Sequence, residues 1–198
     1  MKFFTILAIV LAWSQLTFAQ NSETYNYSNL PAEAFDKLEN NSQFVDKTTN
    51  ETYKITNTEY QKGLSVQITE NGRTRFVKHG VFYSFYKGKK SELKAYEYGI
   101  REGIQESYNS EGITKFQHMY KKGRKDGISK QWNDKGELVR KSMYADGLKN
   151  GTDEQYYNGK LNFKIEYKDG KKHGSYLQYN RNGEVVSRKT YSNGKVVK

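Results

Sequence analysis

Gly151-Thr-Asp-Glu-Gln-Tyr-Tyr-Asn-Gly-Lys-Leu-Asn-Phe-Lys-Ile-Glu-Tyr-Lys-Asp-Gly-Lys-Lys-His173 is one copy of a unit that recurs without interruption from Gly80 to the C-terminus. Its copies open at Gly80, Gly103, Gly127, Gly151 and Gly174, so the period is 23 or 24 residues. Five residues after each opening glycine stands an aromatic: Phe85, Tyr108, Trp132, Tyr156, Tyr179. A second glycine follows at Gly88, Gly112, Gly136, Gly159 and Gly183, and a tyrosine eight residues beyond it: Tyr96, Tyr120, Tyr144, Tyr167, Tyr191. A third glycine closes each copy three residues later, at Gly99, Gly123, Gly147, Gly170 and Gly194. A fixed period of this size marks a repeat array whose units bury apolar surface against their neighbours.

Within each copy the pattern has a period of two. Ile104/Glu106/Tyr108, Ile128/Lys130/Trp132, Thr152/Glu154/Tyr156 and Ser175/Leu177/Tyr179 each share one face of a strand. Asn158-Gly159 and Asn182-Gly183 suit a type I′ turn, with Lys135-Gly136 and Glu111-Gly112 as weaker versions. On the return strand, Leu138, Leu161 or Val185, then Phe116 or Phe163, then the tyrosine are expected on a single face. A second turn rich in Lys and Asp-Gly follows. The prediction is an all-β fold: an elongated, single-sheet antiparallel β-hairpin array of five 23–24-residue units. At about 4.8 Å per strand, about ten strands make a sheet roughly 45–50 Å long.

Composition agrees with thin, one-faced β-structure. Only 35% of the 198 residues are hydrophobic, against the usual share of about 45–50%. Yet 17 are tyrosines, which bury a ring while keeping the hydroxyl wet. Residues 1–79 carry eight Lys/Arg and eight Asp/Glu, whereas 80–198 carry 25 and 14, so the whole net charge of +11 belongs to the repeats. The absence of cysteine excludes disulfides, thiolate metal sites and a cysteine nucleophile.

Met1–Ala19 reads as a secretory signal peptide: Lys2, an apolar run from Phe3 to Leu16, and small residues at Thr17 and Ala19 before the cut. The protein is therefore expected to be exported, to the periplasm, the outer envelope or the medium. Residues 20–62 form a leader or cap, in which 31–39 suits a short helix opened by Pro31, and 52–60 alternates like a strand. The repeat domain spans 63–198, with a degenerate first unit at 63–79 and full units at 80–102, 103–126, 127–150, 151–173 and 174–198. Terminal repeats are commonly atypical.

A unit running Gly151-x-x-x-x-Tyr-Tyr-Asn-Gly159 and ending Tyr167-x-x-Gly-Lys-Lys-His-Gly174 resembles the MORN-repeat variant of bacterial YwqK-type antitoxin-like proteins. The resemblance covers 80–198 and, in part, 63–79. The copy at Gly80 departs from it, with Lys87-Gly88 in place of Asn-Gly and Lys90 where Leu is expected. The resemblance implies a hairpin-repeat architecture, membrane association and an antitoxin-like role; a repeat fold by itself implies no activity.

No catalytic or metal constellation is expected. His79 and His173 share a phase with Glu102, Asp126 and Asn150, which marks a turn position, and His118 lies in a strand two residues before Tyr120. Histidines several repeats apart cannot share an ion at this strand spacing. No carboxylate pair stands out from an ordinary polar sheet face. No cofactor is expected, and the protein reads as non-enzymatic.

Two surfaces remain as candidates. The basic turns, with Lys121, Lys122, Arg124, Lys125, Lys149, Lys168, Lys171, Lys172 and Lys195, recur at one phase and are expected to stack as a stripe attractive to polyanions. The competing reading is a solubilising edge that blocks strand-to-strand aggregation. The aromatic row Phe85, Tyr108, Trp132, Tyr156, Tyr179 reads as repeat core or as a stacking platform for a partner. Gly80, Gly103, Gly127, Gly151 and Gly174, with the tyrosines from Tyr96 to Tyr191, are structural. Export argues against nucleic acid. The expected roles are a protein-interaction or scaffolding module; electrostatic attachment to an anionic membrane or envelope polymer; or an antitoxin-like partner of an exported toxin. Homo-oligomers through the sheet edge are a further expectation.

Overall fold

The structure, a computed structural model, describes residues 32–36, 38–46 and 49–197; the signal-peptide segment and Pro31 lie outside them. Fourteen strands follow in chain order: β1 (Gln43–Val45), β2 (Thr52–Asn57), β3 (Gln61–Glu70), β4 (Arg73–Tyr86), β5 (Lys89–Glu97), β6 (Ile100–Tyr108) and β7 (Thr114–Lys121), then β8 (Arg124–Trp132), β9 (Leu138–Ala145), β10 (Leu148–Tyr157), β11 (Lys160–Lys168), β12 (Lys171–Tyr179), β13 (Val185–Ser192) and β14 (Lys195–Val196). They form one antiparallel sheet in which each strand neighbours the next in sequence. The all-β, single-sheet expectation holds. The strand number exceeds ten because β1, β2 and β3 precede the five hairpins and β14 follows them. The helix expected over 31–39 is only a 3-10 helix, Ala32–Phe35.

Turn chemistry explains the 23/24 alternation. Asn158 and Gly159 both have positive φ, 49° and 72°, as a two-residue type I′ turn requires, and Lys87-Gly88 repeats this. The units opening at Gly103, Gly127 and Gly174 carry a longer loop. In the first, Asn109 N–H donates to the Ile113 carbonyl and Gly112 N–H to the Asn109 carbonyl. The Asn109 side-chain oxygen accepts from the N–H groups of Glu111 and Ile113 at 3.0 and 2.9 Å. Asn133 and Asn180 repeat the arrangement. Asn182-Gly183 is thus not a type I′ turn: only the glycine adopts positive φ, and Asn180 organises the loop.

A register shift lies next to the turn in all four of the hairpins opening at Gly103, Gly127, Gly151 and Gly174, whatever the loop length, and corrects the single-face expectation for the return strand. Phe116, Arg140 and Phe163 pair with Ser107, Gln131 and Gln155, whereas Leu138, Leu161 and Val185 pair with Trp132, Tyr156 and Tyr179. The shift therefore gives the first return residue to the aromatic row and the later ones to the other face.

The chain divides into two compact units. One runs to Gly88 and includes Lys94–Ile100; the other comprises Lys89–Leu93 and Arg101 onward. In the N-terminal unit, the segment that carries Phe35 and Leu38 covers part of the sheet. Phe35 and Leu38 are buried with Tyr53, Ile55, Leu64, Val66 and Val77. The Asn57 amide ties that segment down by donating to the carbonyls of Phe35 and Leu38, at 2.7 and 2.8 Å. Gly63 is required beneath Phe82, since a Cβ there would lie 2.6 Å from the ring. In the C-terminal unit Ile165 is the only buried apolar side chain among the described residues, beside buried Gln105, Ser142 and Asp153.

Candidate functional site

The basic turns separate into two groups. Two residues after the third glycine in four copies, Gly99, Gly123, Gly147 and Gly170, a cation folds back over a tyrosine. Arg101 lies 5.4 Å from the Tyr120 ring, Lys125 5.5 Å from Tyr144, Lys149 4.8 Å from Tyr167 and Lys172 5.1 Å from Tyr191. In the N-terminal unit Lys78 lies 5.4 Å from Tyr96. Each structural tyrosine thus faces one cation, an attraction between positive charge and the negative π face. Lys121, Lys122, Arg124, Lys168, Lys171 and Lys195 stay exposed. The turn at 145–148 has Ala145 and exposed Leu148 where both of its neighbours have cations, Lys121 and Lys168 at the first position and Arg124 and Lys171 at the second. The turns therefore do not present an uninterrupted basic stripe.

Backbone geometry locks these turns together. The N–H groups of Gly123, Gly147, Gly170 and Gly194 donate to the carbonyls of Arg101, Lys125, Lys149 and Lys172, at 2.7–2.9 Å. The residue before the turn glycine also finds an acceptor. Lys122 N–H donates to Glu102 at 2.7 Å, Asp146 N–H to Asp126 at 3.2 Å and Asn193 N–H to His173 Nδ1 at 3.4 Å. Tyr98 N–H and His79 Nδ1 pair likewise at 3.3 Å in the N-terminal unit. This explains why His, Glu and Asp interchange before the opening glycine: each supplies an acceptor. Burial holds His79 below its ordinary pKa, against the opposing charges of Glu51 and Glu97.

The aromatic row is half-buried throughout, including Phe85 in the N-terminal unit. In the C-terminal unit it is one of three rows on a single face. The first row pairs Ile104 with Met119 and Ile128 with Met143. Of these, Met119, Ile128 and Met143 are exposed. The second is charged and polar, with Glu106 opposite Gln117, Lys130 opposite Lys141 and Glu154 opposite Lys164. The third is Tyr108, Trp132, Tyr156 and Tyr179. Tyr108 and Tyr156 donate their hydroxyls to Glu106 and Glu154 two residues earlier.

The opposite face holds a cluster that sequence reasoning missed. Asp153, only 1% exposed, accepts from Arg140 Nε at 2.8 Å and Nη2 at 2.6 Å, from Ser142 Oγ at 2.8 Å and from Lys149. Burial alone would raise its pKa, but the hydrogen bonds from Arg140, Lys149 and Ser142 hold it below the ordinary carboxylate value. The available signal was copy-to-copy variation: Arg140 stands where Phe116 and Phe163 stand in neighbouring units, and Asp153 where Tyr176 does. Beside it His118 Nδ1 meets Ser129 Oγ at 2.8 Å, and Lys125 Nζ approaches His118 Nε2 at 3.4 Å. Among the described residues no group of three or more His, Asp or Glu is placed to hold a metal ion.

No protein-family model matches the chain, and no curated protein matches it by sequence. Among solved structures it is similar to a mutant of S. aureus TarM in complex with fondaparinux, alpha-GlcNAc-glycerol and UDP, at 14% identity and a TM-score of 0.29. The match covers 73% of this chain and 27% of that one, so this chain spans about a quarter of that protein's length.

Proposed function

We propose that the protein is an exported, non-enzymatic repeat module that binds a protein partner through the three-row face of its C-terminal unit. The observation that carries this reading is the exposed Met119, Ile128 and Met143 beside the half-buried Trp132 and Tyr156, in a unit with a single buried apolar side chain among its described residues. Half-buried aromatics gain most from a partner that completes their desolvation. The charged row between the two apolar rows supplies register. Electrostatic attachment is the weaker reading, because Arg101, Lys125, Lys149 and Lys172 lie over tyrosines and the turn at 145–148 carries no cation.

The test is capture from the native envelope fraction, washed at low and then high salt. A protein retained at high salt, and lost with Trp132→Ala plus Tyr156→Ala, supports the reading; an exported toxin is one such partner. Release of lipid or polysaccharide by salt, abolished by Lys121→Glu, Lys122→Glu and Lys171→Glu, would overturn it in favour of electrostatic attachment.

A further inference from the structure

A cavity of about 220 Å³ opens on the face opposite the three rows, lined by His118, Lys125, Ser129, Arg140, Ser142 and Tyr144, with Phe116 on its wall. Ser129 alternates with Ile128 and Lys130 along β8, which places the cavity and the proposed partner surface on different sides of the sheet. We propose that this cavity binds a small oxyanion, a carboxylate or phosphate group carried on a compact body.

The hydrogen-bond inventory directs the site. A lysine ammonium only donates, so His118 Nε2 is the acceptor toward Lys125, and the imidazole proton sits on Nδ1. His118 Nδ1–H then donates to Ser129 Oγ, which frees the Ser129 hydroxyl hydrogen to point into the cavity. Arg140 spends two of its five N–H donors on Asp153 and keeps three. Ser142 spends its one hydroxyl hydrogen on Asp153, so it offers the cavity only lone pairs and is not among the donors. Lys125, Ser129 and Arg140 thus bring free donors to one small volume.

The charges agree. Asp153 neutralises one of its two cations, Arg140 and Lys149, by direct contact. Lys125 is half-buried and has no carboxylate partner within ion-pair distance among the described residues; its polar neighbour is a histidine. Burial lowers the pKa of Lys125, and burial with the nearby Lys125 charge lowers that of His118. An oxyanion relieves both penalties by supplying the missing opposite charge. Phe116 and Tyr144 offer apolar contact to whatever carries the anion.

The test titrates the full chain with inorganic phosphate and, separately, with acetate, following the His118 ring resonances. A saturable shift is expected with one or both anions, and the tighter of the two names the group recognised. Lys125→Gln should weaken binding at least about tenfold, and Ser129→Ala about threefold. Lys121→Glu with Lys122→Glu alters only exposed turn charges and should leave the affinity within about twofold. Ser129→Ala removes one hydroxyl and keeps the comparison readable should Lys125→Gln unfold. Absence of a saturable shift, unchanged binding in both cavity variants, or an equal loss in the turn variant would overturn the proposal.

Discussion

The two units are built from the same antiparallel hairpins, yet one has an apolar core and the other almost none. In the N-terminal unit, the segment that carries Phe35 and Leu38 lies on the sheet, and Ile55, Leu64 and Val66 are at most 2% exposed. In the C-terminal unit the most enclosed side chain is a carboxylate, Asp153. A short segment laid across the sheet is enough to convert half-exposed β-structure into an apolar core. Without one, a sheet is held by lateral contacts: tyrosine under lysine, glycine N–H to carbonyl, and one charged cluster satisfied on all sides. Stability in the first unit should follow buried area, and in the second hydrogen-bond satisfaction.

Leu64→Ala should produce the largest effect, about 3 kcal/mol, by leaving a cavity in the covered core. Hydrogen exchange should show the loss in β2–β4 and not in β9–β11; equal loss in both would break the distinction. Asp153→Ala comes next at about 2 kcal/mol, confined to β9–β11. That is less than for a fully buried pair, because Arg140 keeps 39% of its side-chain surface exposed. Its pH dependence follows from the lowered carboxyl pKa. The contribution is fully present above the ordinary aspartate value and disappears as pH falls through the depressed folded value. Asp153→Asn should abolish that acid-limb loss in a chemical denaturation series.

Gly127→Ala should cost about 1–2 kcal/mol. The backbone there has φ 98°, and a Cβ would lie 3.2 Å from that of Met119. The smallest effect, about 0.5–1 kcal/mol, belongs to Asp126→Ala, which leaves Asp146 N–H without its side-chain acceptor. Faster amide exchange limited to the 145–148 turn would place stability in lateral contacts; a global change would refute that assignment.

What the sequence made legible is what is local. The glycine–aromatic–tyrosine phase gave the hairpins, and Asn158-Gly159 gave a type I′ turn because both residues of that turn are named by their own backbone demands. Asn182-Gly183 carries the same dipeptide and adopts another turn, because the decision lies with Asn180 one residue after Tyr179. Spacing from aromatic to glycine was the better signal. The basic turns were found, but not that Lys125, Lys149 and Lys172 would reach tyrosines 18 or 19 residues away in sequence. The Asp153 cluster was hidden for a similar reason. Its partners come from β9 and from the start of β10, across a register shift between Lys149 and Asp153 that no period of two anticipates. Asp36 illustrates the same limit: its ion pair with Lys62 spans 26 residues and helps hold the covering segment.

The stacked turns give the C-terminal unit a direction. Each turn glycine donates backward, to a carbonyl of the preceding unit, and the residue before it mostly does the same. A chain shortened from its C-terminus keeps every acceptor its remaining turns use, whereas one cut from the other end orphans the donors of the next turn. Growth is therefore vectorial: a newly made hairpin finds a finished landing strip in the one before it, in the order in which a ribosome delivers them.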